Sequence, residues 1–501
     1  MKILQLGKEN WKDKYQIPVG IDWHYNDFPD NVTNNEKDSL YAGVIISEKI
    51  ELSSENWKKL QWLVNPRCVL YNDSIYDQLS KDAQIFLKYQ LAEKITEDPQ
   101  ILINHLLVRY YTKQSGIRIL PADLALNEEI ASEFEYADSG HMRLEIDTQG
   151  DWANLGSYRN VLYVDPNKLL DLWLEFKAND IQLRLKIFIN YNSEIHEYTL
   201  PLHSIKETTF DLPISSKERF GCITVEAKGK GKLEYGILHA RWSRDNKGIL
   251  LVGGKRIVNP QNREEIVYYF NPGDLKPPLN IYFAGANELE RFEAYETFRN
   301  FHSPSLLFAD MRLTIGEFYD DYDGFMGQQI IAKITETLDN LSFGRSQLII
   351  NGISMGSYAA LKYGPLLKPY MINVSKPITN LGLIALRTRL HRPKIFDTIF
   401  DIDYQINHDI SKNGLEQMDK AFWDKFNNYD LSETRLFVSY MKNDDYDNKT
   451  ITNLKSSIAI KKARQVTYKG FMGRHNDDYD VIGWFLSRLG QVIREDFNRE
   501  I

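Results

Sequence analysis

The stretch Leu348-Ile349-Ile350-Asn351-Gly352-Ile353-Ser354-Met355-Gly356 constrains this chain more than any other. An apolar run stops at the Gly-x-Ser-x-Gly pattern, and small helix-compatible residues come directly after it through Ala360. Strand, tight turn and helix in direct succession form the context of a nucleophile elbow. Side chains flanking so tight a turn would collide, which requires Gly352 and Gly356. The turn pushes the Ser354 hydroxyl out at the carboxyl end of a sheet. The pattern alone is weak; its flanks and two downstream loops give it weight.

Those loops hold a carboxylate and then a histidine. Arg435–Tyr440 reads as a buried strand and runs into an acidic loop with Asp444, Asp445 and Asp447. Gln465–Tyr468 reads as another strand, ahead of a Gly-rich loop with His475. Both sit on loops after strands, where an open parallel sheet places its chemistry. The order Ser, Asp, His is that of α/β-hydrolases. Serine needs a base, and the base needs a carboxylate to fix its tautomer. His391 sits in a basic face and His408 in a polar loop, which leaves His475 as the candidate base. Asp445 is preferred over Asp444 as the acid, and each acidic residue of the loop also reads as a solvated charge. The oxyanion donors are expected from an earlier strand end, Leu279–Ala286, at Gly285 and Ala286. Met355, next to the nucleophile, is the other expected donor.

Three segments carry a resemblance: Asn351–Ala360, Tyr440–Asp447 and Gly473–Asp477. They resemble the second of the accessory secretory proteins of the accessory Sec system of Gram-positive bacteria, as do the chain length and a long non-catalytic N-terminal half. The resemblance implies a Ser–acid–His O-acetyltransferase acting on N-acetylglucosamine of serine-rich-repeat glycoprotein adhesins. It implies as partners the first and third accessory secretory proteins, the accessory SecA motor and the glycosylated adhesin. The family's nucleophile and base map to Ser354 and His475, and its acid to Asp444 or Asp445. It also implies a cytoplasmic protein, recruited to the membrane by the translocase.

Composition is compatible with this. The 501 residues allow two or three domains, and 43% apolar content is ordinary for a globular chain. A formal net charge of −8 argues against a nucleic-acid partner and against an anionic membrane surface. Cys68 and Cys222 lie in apolar runs and read as buried thiols. No Cys/His cluster has zinc spacing, and no metal is expected. There is no signal-peptide core and no apolar window long enough for a transmembrane segment.

The fold class is α/β, in three parts. Residues 1–115 read as a small N-terminal α/β domain, with a strand in Tyr41–Ile46, a helix over Asp82–Ile95 and two strand pieces in Trp62–Tyr71. Residues 116–245 read as an antiparallel β-sandwich. Trp152, Tyr158 and Trp173 there are candidates for carbohydrate stacking, with a core role the simpler reading, and Lys228–Lys232 reads as a solvated hairpin turn. Residues 246–501 alternate strand and helix signals, as in an α/β-hydrolase-like doubly wound sheet. Strands are expected at Ile249–Val252, Ile266–Phe270, Leu279–Phe283, Ser305–Phe308, Gln347–Ile350, Arg435–Tyr440 and Gln465–Tyr468. The last helix is expected from Tyr479 to Glu495, and residues 385–432 as a lid.

Three function classes fit these residues: a Ser-dependent acyltransferase or carbohydrate esterase, an inactive hydrolase-fold scaffold of an export complex, and a peptidase or lipase. The last is disfavoured because no long apolar lid is present. No permanently bound cofactor is expected. The acetyl donor is unreadable; acetyl-coenzyme A is the candidate, although no phosphate-cradling loop locates it.

Overall fold

The computed structural model describes residues 1–27, 40–202, 209–210, 212–391, 398–477 and 480–500. Three sheets organise them.

The first is a five-stranded parallel sheet within residues 1–94. Its central strands, Gly43–Ile46 and Val69–Tyr71, are wholly buried, as expected of parallel strands covered on both faces. Here two expectations are corrected. Trp62 belongs to the helix Ser54–Leu63, capped by Ser53, so only the second strand piece exists. The helix expected over Asp82–Ile95 is Lys81–Tyr89 and gives way to the strand Glu93–Lys94, because Leu91 takes a left-handed φ of 47°.

The middle region is antiparallel and organised by one 24-residue strand, Arg219–Trp242. Its first part pairs with Ile181–Tyr191 and its second with Leu170–Ala178. Alternate residues of the paired strands, such as Leu183, Leu185, Ile187 and Leu172, Leu174, share one core. The hairpin expected at Lys228–Lys232 is therefore corrected: the strand continues through it. Gly229 (φ 126°) and Gly231 (φ 154°) permit this, since a Cβ on either would lie 2.2 and 2.5 Å from the carbonyls of Asp180 and Asn179. Of the stacking candidates, Tyr158 and Trp173 are buried. The Tyr158 hydroxyl meets that of Tyr235, and the Trp173 indole donates to the Arg263 carbonyl at 2.9 Å. Trp152 lies under the Arg184 guanidinium at 4.2 Å. Cys68 is buried, with its thiol pushed up to about 12 by burial, whereas Cys222 is exposed, contrary to expectation.

The third sheet has eight strands: β1 (Lys255–Val258), β2 (Glu265–Asn271), β3 (Leu279–Phe283), β4 (Ser305–Asp310), β5 (Leu348–Ile353), β6 (Met371–Ser375), β7 (Arg435–Met441) and β8 (Gln465–Phe471). Their spatial order is β1-β2-β4-β3-β5-β6-β7-β8, antiparallel around β2 and parallel elsewhere. Successive side chains of β3 face opposite ways. Leu279, Ile281 and Phe283 join a core with the helices Phe325–Leu341 and Met355–Leu367. Tyr282 joins the other core, with Leu489 and Ile493 of the helix Asp480–Asp496. The expected first residue of that helix, Tyr479, lies outside the described residues.

Two strand expectations are corrected here. Ile249–Val252 is a buried turn in which Ile249 N–H donates to the Gly254 carbonyl and Leu250 has φ 61°. Strand β6 is an addition to the expected set, because Asn373 and Ser375 interrupt its apolar run; Asn373 is buried and donates to the Phe485 carbonyl at 3.2 Å. Three described helical segments, Leu381–His391, Ile399–Asn407 and Lys412–Asn427, occupy the region expected as a lid. Among the described residues, no helix is long and apolar enough to cross a membrane.

Candidate active site

Strand β5 delivers Ser354 to the carboxyl edge of the sheet, beside β3 and β6. Its backbone has φ 51° and ψ −119°, a conformation that non-glycine residues avoid. Neighbours over-determine it. Ser354 N–H donates to the Ser375 carbonyl at 2.9 Å, and its own carbonyl accepts from Ser357 N–H at 2.9 Å. The turn leaves no space at its flanks. A Cβ on Gly352 would lie 2.2 Å from the Gly356 carbonyl oxygen, and one on Gly356 would lie 2.0 Å from that of Phe283. Both obstacles are backbone, so neither can step aside. Gly356→Ala is expected to lower unfolding free energy by about 3 kcal/mol through overpacking. Denaturant titration checks this, and a change below about 1 kcal/mol would show that the elbow tolerates a wider turn.

Ser354 Oγ lies 2.9 Å from His475 Nε2, and His475 Nδ1 lies 2.8 Å from Asp444 Oδ2. Asp445 does something else: its Oδ1 accepts the backbone N–H of His475 at 3.0 Å. The preference for Asp445 as the carboxylate on the imidazole is therefore corrected to Asp444. The reason is local. Asp444 Oδ1 accepts N–H groups from Tyr446 (2.9 Å) and Asp447 (3.2 Å), and this turn aims Oδ2 at the ring. Adjacent acids thus grip one histidine by its ring and by its backbone. The Tyr446 ring stacks on the imidazole at 4.5 Å.

His475 is 1% exposed, so its imidazole is shielded from bulk solvent. Burial opposes ionisation of Asp444, but the His475 bond and the two backbone amides outweigh it, and the carboxyl lies below its ordinary value. A depressed value keeps Asp444 charged at neutral pH; its contribution is lost only as pH falls through that value.

Asp447 is not the solvated loop charge it resembles in sequence. It is buried and accepts N–H groups from Thr379 (2.9 Å) and Asn380 (2.7 Å). That ties the acid loop to the chain leaving β6. Of the other histidines, His408 is exposed and stacks on Tyr322, and the side chain of His391 lies outside the described residues.

A cavity of about 870 Å³ opens over Ser354, lined in part by Gly285, Ala286 and Met355. The ideal Cβ position of Gly285 is 3.8 Å from Ser354 Cβ, so the loop after β3 runs alongside the nucleophile. Met355 is the first residue of the helix Met355–Leu367, whose unpaired N–H groups and dipole favour negative charge at that end. The three residues expected to supply oxyanion donors therefore line the same cavity as Ser354.

Sequence reasoning missed other lining groups. Lys376 comes directly after strand β6 with φ 49°, and burial pulls its ammonium below the ordinary value. Ser139 reaches the cavity from the middle region, and Thr398 from the start of the helix Ile399–Asn407. Only the Ser-Lys-Pro sequence at 375–377, a chain break after an apolar run, hints at Lys376; nothing local marks Ser139. Among the described residues, no group of His, Cys, Asp and Glu is arranged to hold a metal ion.

Known proteins share this architecture. The sequence profile of a family described as accessory Sec system GspB-transporter matches residues 1–499. An accessory Sec system protein of Staphylococcus aureus is 30% identical over 518 aligned positions, covering 99% of this chain and 97% of that protein. One from Streptococcus gordonii is 30% identical over 514, covering 100% and 99%. A chain in the Glycosylation Associate Protein complex of Streptococcus agalactiae superposes with a TM-score of 0.85 at 27% identity, covering 100% of this chain and 99% of that one. The match is end to end in sequence and in structure, and this chain belongs to the accessory Sec system GspB-transporter family.

Proposed function

We propose that this protein is a serine-dependent O-acetyltransferase that acetylates N-acetylglucosamine on serine-rich-repeat glycoprotein adhesins and supports their export by the accessory Sec system. The observation that carries the catalytic part is the unbroken chain of hydrogen bonds from Ser354 through His475 to Asp444 at the wall of a large cavity. A scaffold needs no strained serine facing a buried histidine. Family membership supports the export part. The partners belong to the same reading: the first and third accessory secretory proteins, the accessory SecA motor and the glycosylated adhesin. A glycan modified before translocation places the reaction in the cytoplasm, with the translocase recruiting the complex to the membrane.

The steps use this chain's own groups. His475 Nε2 takes the proton of Ser354 Oγ, and the oxygen attacks the acetyl carbonyl carbon. N–H groups at Gly285, Ala286 and Met355 hold the negative oxygen. The tetrahedral species collapses, the donor's leaving group takes the proton from His475, and acetyl-Ser354 remains. A sugar hydroxyl then loses its proton to His475 and attacks the same carbon; the bond from that carbon to Ser354 Oγ breaks, and His475 returns the proton to Ser354 Oγ. Asp444 keeps the imidazole in the tautomer that accepts on Nε2 and stabilises its charged form. Water in place of the sugar gives esterase chemistry. Acetyl-coenzyme A, as a co-substrate, is the proposed donor.

The experiment is transfer to a glycopeptide carrying N-acetylglucosamine. Purified protein with an activated acetyl donor is expected to add about 42 Da per acetyl group to the sugar. A fluorophosphonate probe is expected to label Ser354 in the same preparation. Labelling with hydrolysis but no transfer would make the protein a carbohydrate esterase. Neither labelling nor transfer would leave the scaffold.

A further inference from the structure

The loop from Ala284 to Ala294 that carries Gly285 and Ala286 contains no helix or strand of its own. The middle region supplies its order. Arg118, on the strand Gly116–Ile119, donates from Nη1 to the carbonyls of Asn287 (3.0 Å) and Thr314. Asn287 is the residue after Ala286, and its own N–H donates to Ile315 at 3.4 Å. The peptide planes just beyond the oxyanion wall are thus fixed from both sides. Thr314 and Ile315 line the same cavity.

Further along the loop, Phe292 N–H donates to Gln114 Oε1 at 2.9 Å, and Gln114 Nε2 donates to the Phe292 carbonyl at 3.4 Å. Between these points lies Glu290, whose side chain is wholly buried. One oxygen meets Arg241 Nε; the other meets His239 Nδ1 and lies 3.7 Å from Arg118 Nε. His239 and Arg118 are register partners on adjacent strands. Burial opposes the charge of Glu290, but Arg241 and His239 hold its carboxyl well below the ordinary value. Such a buried cluster is a poor source of net stability, because desolvation offsets its attraction. What it does supply is a fixed position, since both carboxylate oxygens are held by buried groups of the long strand.

We propose that the antiparallel middle region, with the short segment leading into it, is a working part of the active site, in which Arg118 on its strand Gly116–Ile119 and Gln114 just ahead of that strand act as positioning residues that hold the oxyanion loop against Ser354. The inference rests on the serine reaction proposed above. Its sharpest consequence is that these residues act on the transition state, in which the oxyanion exists, and hardly at all on substrate binding.

The test uses the full chain and hydrolysis of p-nitrophenyl acetate, comparing the parent protein with Ser354→Ala, Arg118→Met, Arg118→Lys and Gln114→Met. In Arg118→Met, kcat is expected to fall roughly ten- to a hundredfold, the scale of a small misplacement of reacting groups. KM is expected to stay within about twofold. Arg118→Lys recovers part of the loss, because an ammonium reaches one of the two carbonyls. Gln114→Met, at a partly exposed position, gives a smaller fall of the same kind and decides the matter should Arg118→Met fail to fold. Ser354-dependent turnover with unchanged kcat in the folded variants overturns this inference alone, as does a loss confined to KM. Undiminished turnover by Ser354→Ala overturns the serine reaction and this inference with it.

Discussion

Ser354→Ala is expected to reduce acetyl transfer and ester hydrolysis by roughly 10⁴-fold or more, because a nucleophile and its base act as a unit and the loss of either removes the covalent route. The change deletes one hydroxyl at a turn whose backbone is held by Ser375 and Ser357 through main-chain atoms, so the fold is expected to persist. Partner binding is expected to persist too, since it needs broad surfaces whereas the reaction needs a few atoms in a cavity. The readouts are acetyl content of exported adhesin by mass spectrometry, co-purification of the other accessory secretory proteins, and circular dichroism. Unchanged acetylation would make this chain a scaffold and assign the transfer to another protein. A folded variant that loses its partners would make the elbow part of a binding surface.

Asp444→Asn is expected to lower kcat by about 10³–10⁴-fold, while Asp445→Asn lowers it less than about tenfold. The two neighbours differ in what an amide can replace. At Asp444 an amide no longer stabilises the imidazolium, and its NH₂ favours the wrong tautomer. Asp445 accepts from a backbone N–H. The amide oxygen of Asn accepts the same bond, so the substitution weakens that contact without abolishing it. Steady-state rates of the two variants at a single pH decide between them. A larger defect in Asp445→Asn would return the role to that residue, and normal rates in both would remove the loop from the mechanism.

The carboxylate illustrates what a linear reading can reach. The acidic loop is legible because it lies just past the buried strand β7, and its chemistry is legible because a serine elbow precedes it and a histidine loop comes after. Which of two adjacent aspartates faces the ring depends on a turn after Met441, closed by side-chain bonds to Tyr446 and Asp447, and alternation does not extend into such turns. Asp447 shows the same limit from the other side. It looks like one more surface charge, yet it is buried because the chain after β6 brings the N–H groups of Thr379 and Asn380 to it. Strand β6 is hard to read because two of its five residues are polar, and only the pairing with β5 and β7 makes them strand residues.

The elbow is written in a few residues. Close backbone approach dictates Gly352 and Gly356, and the chemistry dictates Ser354 between them, so local spacing carries the full signal. The order serine, acid, histidine and the α/β class are equally legible, because strand and helix periodicities are local properties. The passage of the long strand Arg219–Trp242 through a stretch that reads as a turn depends instead on its distant pairing partners. Distant packing also brings Ser139 to the cavity and Arg118 to Asn287, across more than a hundred intervening residues. Those contacts arise where separate sheets meet, and that packing depends on the shape of buried surfaces that no short stretch of sequence records.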